Sequence, residues 1–119
     1  MISVVNKSTH SETPNDIYIG RGSILGNPFT HKELNQSKAR FKCSTREEAI
    51  ESYRDYLLAK IAEKDKEICA ELNRIYQLAK KGDVNLVCYC FPKRCHGEII
   101  KELIEEKINN WLNSKLNEK

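Results

Sequence analysis

Apolar positions along the chain fall into short β-branched runs near the start and in the last third, and into helix-spaced stripes between and after them. Ile2, Val4 and Val5 form one such run, ending at Asn6-Lys7, and Ile17, Tyr18 and Ile19 form another, ending at Gly20. Both predict short strands. Ser8 to Asp16 between them is rich in Ser, Thr, Asn and Pro, which is loop chemistry. Arg21 to Cys43 shows no sustained period and contains Gly22, Gly26 and Pro28, so a long loop is expected there, of the kind that is usually functional or poorly ordered.

Helical periodicity begins at Ser44-Thr45-Arg46-Glu47-Glu48, where Thr45 and Glu48 fit a capping box. Ile50, Tyr53, Leu57 and Ile61 then mark one face. A second stripe, Ile68, Leu72, Ile75 and Ala79, runs to Lys80-Lys81-Gly82, two cations and a glycine that suit a helix C-terminus. The joint at Glu63 to Lys66 lacks Gly and Pro, so two helices or one kinked helix fit equally. Val84 to Cys90, with Leu86 and Val87 at its centre, is the clearest strand. From about Gly97 to Leu116, Ile99, Ile100, Leu103, Ile104, Ile108, Trp111 and Leu112 give a final helix with a broad apolar face.

Strand, strand, helices, strand, helix is the order of a small layered α/β fold. A short, mostly parallel sheet of about three or four strands flanked by helices is expected, as a single domain over residues 1–119 with a polar tail at 117–119. In such sheets the strand-to-helix loops emerge at the carboxyl edge, where ligands bind.

Composition narrows the function classes. The 20 Lys and Arg are interleaved with 17 Asp and Glu for a net charge of +3, which argues against a nucleic-acid partner, because such a partner calls for a basic stripe. No apolar run approaches the length of a membrane span and no export signal is present, so a cytoplasmic protein with no membrane partner is expected. Five cysteines, an odd number, then predict reduced thiols rather than a disulfide framework. No cofactor is called for. A homo-oligomer is left open, with the pocket closed within one subunit or between two.

Candidate chemistry gathers in CYCFPKRCHG, residues 88 to 97. Three readings use the same residues. As metal ligands, Cys88, Cys90, Cys95 and His96 make a four-ligand zinc set, although C-x-C followed by an adjacent Cys-His pair departs from the usual C-x₂₋₄-C knuckle. As a thiol catalyst, Cys95 stands at the start of the last helix beside Lys93, Arg94 and His96, surroundings that favour a thiolate. As an anion loop, Lys93, Arg94 and the helix start at Gly97 present cations and N–H groups to a phosphate. Against these stand ordinary structural roles: small buried cysteines and a solvated basic pair.

The second candidate is IGRGSILGNPF, residues 19 to 29. Gly20, Gly22 and Gly26 permit positive φ and close approach of a ligand, Arg21 suits a phosphate or carboxylate, and Ser23 and Asn27 offer hydrogen bonds. Neither a P-loop nor a dinucleotide-binding glycine pattern is present. The plain alternative is a turn closed by Asn27-Pro28, with Phe29 filling the core. His10, in polar loop sequence, is expected to be solvated, and His31 fits either role. Emerging from one sheet edge, the two loops would face each other across one pocket.

With REEAIESYRDYL between them, these loops resemble the phage and bacterial family catalogued as domain of unknown function 4326, over about Val4 to Leu103. Matching positions are Gly20 to Ser23 and Leu25 to Phe29 in the first loop. In the second they are Cys88, Cys90, Pro92, Cys95, His96 and Gly97, and in the middle helix Arg46, Glu47, Tyr53 and Tyr56. Ile24 stands where the family commonly has proline, and Glu98 where it has aspartate. The resemblance implies a compact α/β fold with one shared site, and it brings no assigned activity.

The reading that follows is a binding protein for a phosphate-bearing, nucleotide-derived small molecule. Its ligand contacts would come from Gly20, Arg21, Gly22, Ser23, Gly26, Asn27, Cys90, Lys93, Arg94, Cys95, His96 and Gly97. Family members among phages suggest sequestration of a host defence signal. The alternatives are an enzyme acting on a nucleotide or nucleoside through Cys95, His96 or Glu98, and a structural zinc domain.

Overall fold

The structure, a computed structural model, describes residues 1–20, 22–30, 41–42, 45–89 and 95–116. In chain order the elements are β1 (Ile2–Asn6), β2 (Asp16–Tyr18), β3 (Phe29–Thr30), β4 (Phe41–Lys42), α1 (Arg46–Ala62), α2 (Lys66–Lys81), β5 (Val84–Cys88) and α3 (Gly97–Leu116). β5 lies between β1 and β2 in a three-stranded sheet whose pairs are both parallel. The α/β class with a small parallel sheet is therefore as the element order predicts. Among the described residues no helix is long and apolar enough to cross a membrane.

The register divides the sheet into two unlike faces. Ile2 is opposite Val84, and both Val4 and Ile17 are opposite Leu86. Partners in a parallel ladder project to the same side. That side carries Ile2, Ile17, Val84, Leu86 and Cys88 into one core with Ile50, Tyr53 and Leu57 of α1, Ile68 and Ile75 of α2, and Ile99, Ile100 and Ile104 of α3. The three helices contact one another, α3 contacts β1, and α2 contacts β5.

The other face carries Ser3, Asp16 and Asn85 among its residues, an unusual polarity for a parallel sheet, whose faces are normally both apolar. Its cause is the β1–β2 connection. Because β1 ends at one edge and parallel β2 begins at the other, with β5 between, residues 7–15 must run back across β5. They do so on this second face, where Asp16 gathers them. Its carboxylate accepts from the Thr13 hydroxyl at 2.6 Å, the Thr13 N–H at 3.0 Å, His10 Nε2 at 3.1 Å and Asn85 Nδ2 at 3.2 Å. The Thr13 hydroxyl bond is the largest influence that holds the Asp16 carboxyl well below the usual carboxylate range. His10 is thus a half-buried partner of Asp16, not the solvated residue that its polar neighbours predict.

Two helices, not one kinked helix, occupy residues 46 to 81. Thr45 caps α1 by accepting from the Glu48 N–H at 3.0 Å. The helix ends in a Schellman arrangement: the Lys64 N–H bonds the Ile61 carbonyl and the Asp65 N–H bonds the Lys60 carbonyl, with Lys64 at φ 61°. Asp65 then caps α2 through the Ile68 N–H at 3.0 Å. A left-handed lysine does here what glycine usually does, which is why the joint carries no glycine signal.

Several boundaries differ from expectation. Ile61 and Leu112 are exposed, each lying where its helix runs beyond the core. β5 stops at Cys88 instead of reaching Cys90. The Lys7 N–H bonds the Cys88 carbonyl at 2.7 Å as the last rung, and Tyr89 turns out to solvent. β2 spans Asp16–Tyr18, yet the Ile19 N–H still bonds the Val87 carbonyl at 2.9 Å. Within the expected long loop, β3 and β4 pair in parallel over two residues each, too short to show a period. The predicted polar tail, His31 and the Phe29 core plug lie outside the described residues or side chains.

Candidate functional site

β2 and β5 deliver the two candidate loops to the same carboxyl edge, and the start of α3 closes against them. His96 Nε2 lies 2.5 Å from the Ile19 carbonyl oxygen. A carbonyl only accepts, so Nε2 carries the hydrogen, and Nδ1 is the basic nitrogen of the neutral ring. The imidazole is buried and stands edge-on to the Tyr53 ring, with centroids 4.9 Å apart. Tyr53 in turn donates its hydroxyl to the Leu25 carbonyl at 2.7 Å. One tyrosine on α1 therefore braces both loops, touching the second through His96 and tying down the first at Leu25. Burial, then the proximity of Tyr56 and Cys95, pushes its phenol far above the ordinary value, so it remains a neutral donor.

The first loop is wound tightly. The Ser23 N–H and hydroxyl both bond the Gly20 carbonyl, at 3.1 and 2.6 Å, and the Gly26 N–H bonds the Ser23 carbonyl at 3.0 Å. Gly22 sits at φ 89°, a conformation that side chains disfavour. Asn27 is buried and its Nδ2 donates to the Ala49 carbonyl at 3.3 Å, which anchors the loop to α1. At Gly20 a Cβ would run into the Tyr18 ring.

At the second loop, Cys88 and Cys95 are both buried, with their sulfurs 3.5 Å apart. Cys95 Sγ accepts from the Gly97 N–H at 3.3 Å. The Glu98 N–H bonds the Cys95 carbonyl, and the Ile99 and Ile100 N–H groups share the His96 carbonyl. The Ile100 bond is the first regular i→i−4 bond of α3, and the Gly97, Glu98 and Ile99 N–H groups, which a helix start leaves without regular intrahelical partners, are engaged within the chain. An anion at this helix end would have to share them. Gly97 is itself buried: a Cβ there would stand 2.9 Å from Ile19 Cδ1 and 3.2 Å from the Val4 methyls. Its role is close packing of the helix start on the sheet. Glu98 lies in the same first turn, half-buried.

The structure thus brings Gly20, Gly22, Ser23, Gly26 and Asn27 to the same edge as Cys88, Cys95, His96, Gly97 and Glu98. Arg21, Cys90, Lys93 and Arg94 lie outside the described residues. Of the zinc set, the Cys88 and Cys95 sulfurs are neighbours, and His96 has committed Nε2 to Ile19. Among the described residues no three His, Cys, Asp or Glu are grouped to hold a metal ion.

Three features escape the sequence reading. Tyr53 is legible there only as a core position, although a buried tyrosine always raises the question of where its hydroxyl bonds. Tyr18 and Tyr89 form an exposed aromatic pair at the carboxyl edge, edge-on at 6.3 Å, because Tyr18 ends β2 and Tyr89 directly follows the neighbouring β5. The third is a hollow of about 460 Å³ lined by Met1, Ser3, Asp83 and Asn85 among others; it lies at the opposite, amino edge and does not belong to this site.

No curated protein and no solved structure matches the chain. A family model described as domain of unknown function (DUF4326) matches residues 2–106, which takes in the whole sheet, both loops and the first half of α3. That span covers most of the chain, and the chain belongs to this family.

Proposed function

We propose that the carboxyl edge of the sheet binds a phosphate-bearing, nucleotide-derived small molecule in the cytoplasm and holds it unchanged. The observation that carries this reading is the junction of the two loops, His96 Nε2 on the Ile19 carbonyl, at the sheet edge where ligands of α/β folds bind. The exposed Tyr18–Tyr89 pair beside that junction offers aromatic surface to a base. Arg21, Lys93 and Arg94, placed by sequence in the two loops, supply charge for the phosphate. Their part grows in importance because the α3 N–H groups are already engaged. Carried by a phage, such a protein would remove a nucleotide signal made by a host defence system.

An enzyme using Cys95 is the competing reading, and the geometry favours binding. Cys95 is 4% exposed, and its sulfur is turned to Cys88 and the Gly97 N–H. Calorimetric titration with nucleotides and their parent nucleosides tests the proposal. Binding that requires the phosphate supports it, and equal affinity for nucleoside and nucleotide overturns it.

A further inference from the structure

We propose that Cys88 and Cys95 are a hydroperoxide-oxidisable dithiol that closes as a disulfide across the base of the loop between β5 and α3. The two sulfurs stand 3.5 Å apart in the reduced protein, and a disulfide needs about 2.05 Å, so the bond requires an approach of roughly 1.5 Å. Cys88 ends β5, and Cys95 lies two residues before Gly97, the first residue of α3, with its carbonyl bonded by the Glu98 N–H, so both backbones are held at the facing point. The Gly97 N–H donated to Cys95 Sγ, together with the helix start behind it, favours negative charge on that sulfur. This makes Cys95 the attacking thiolate. Burial of both residues excludes bulky disulfide oxidants and admits a reagent of the size of hydrogen peroxide.

The chemistry closes without a further reagent. The Cys95 thiolate gives an electron pair to one peroxide oxygen; the O–O bond breaks, and the departing hydroxide or alkoxide takes up a proton, leaving Cys95 as the sulfenic acid. The Cys88 sulfur then attacks the Cys95 sulfur, an S–S bond forms, the S–O bond breaks, and the oxygen leaves as water with the Cys88 proton. Overall, two thiols are oxidised and one hydroperoxide is reduced, giving a disulfide, water and an alcohol (a second water from hydrogen peroxide). Because β5 and α3 are already neighbours, the bond links elements in place rather than refolding them. A thiol reductant restores the starting state.

The test is a bond map of the wild-type protein after brief treatment with hydrogen peroxide and alkylation of the remaining thiols. Chymotryptic cleavage after Tyr89 combined with tryptic cleavage after Arg94 puts Cys88, Cys90 and Cys95 on three separate peptides, so the wild type alone distinguishes the partners. The expected result is a peptide pair joined through Cys88 and Cys95, lighter by two hydrogens and released by dithiothreitol. The same link should form in Cys90→Ser and be lost in Cys88→Ala. A link through Cys90 instead, sulfinic acid on unlinked Cys95, or unreacted Cys88 and Cys95 would each overturn the inference.

Discussion

His96 and Ile19 are joined side chain to backbone across 77 residues of sequence, with Nε2 2.5 Å from the carbonyl oxygen and the whole contact buried. This bond holds the start of α3 against the end of the strand that launches the glycine loop. His96→Ala removes the donor, leaves the Ile19 carbonyl without it and opens a void beside Tyr53. A loss of about 2–4 kcal/mol in urea unfolding is expected from the unsatisfied acceptor and the cavity together.

Tyr53→Phe keeps the ring against His96 and removes only the hydroxyl on the Leu25 carbonyl. The expected cost is about 1–3 kcal/mol, the range for leaving a buried acceptor unpaired. Ligand affinity should fall with it, since Leu25 lies within the glycine loop. A Tyr53→Phe protein with wild-type stability would show that the hydroxyl is not what secures that loop.

Gly97→Ala sets two effects against each other. Alanine gains at most about 1 kcal/mol of helix propensity, and less at a first-turn position. Against this, its Cβ would approach Ile19 Cδ1 to 2.9 Å and the Val4 methyls to 3.2 Å, in a place where Ile19 has no exposed surface into which to move. Overpacking of this kind costs about 1–3 kcal/mol, so net destabilisation is expected in thermal melts.

Lys64→Gly should act in the opposite direction. Lys64 holds φ 61° with its N–H already committed to the Ile61 carbonyl, and glycine adopts that conformation without a Cβ clash. An increase of about 0.5–1 kcal/mol in unfolding free energy is expected in urea unfolding.

Asp16 predicts the acid limb of the stability curve. Its carboxyl is held below its unfolded value, chiefly by the Thr13 hydroxyl, so the folded state binds the proton less readily than the unfolded chain does. The stabilisation is therefore complete above about pH 4, near the unfolded carboxylate value, and is lost as pH falls through the depressed folded value. Asp16→Asn should be less stable at neutral pH and show a shallower loss between about pH 4 and pH 2. Parallel acid-unfolding curves for the two proteins would contradict this assignment.

The fold was legible where patterns were long. The β-branched runs, the two helical stripes and the twenty-residue α3 all follow from periodicity, and their order implies the parallel sheet. What stayed hidden depends on contacts between distant segments. Nothing local in residues 7–15 shows that His10 and Thr13 will meet Asp16 and Asn85 over β5. The Schellman turn at Lys64 breaks the expectation that glycine marks a helix end. At the candidate site, sequence selects two loops that meet at one sheet edge but does not separate a ligand-facing group from a brace. His96 and Asn27 each make a bond to a backbone carbonyl, and Gly97 is required by the packing of Ile19 and Val4.

The most direct measurement of the central claim is capture and release. The purified protein is incubated with a cellular nucleotide pool, washed free of unbound material and denatured, and the released small molecules are weighed by mass spectrometry. The account predicts enrichment of a phosphate-bearing, nucleotide-derived species with unchanged mass, and loss of that enrichment when Arg21, Lys93 and Arg94 are replaced by alanine. Release of a chemically altered product, or no nucleotide-derived species above the level from an unrelated protein, would contradict it.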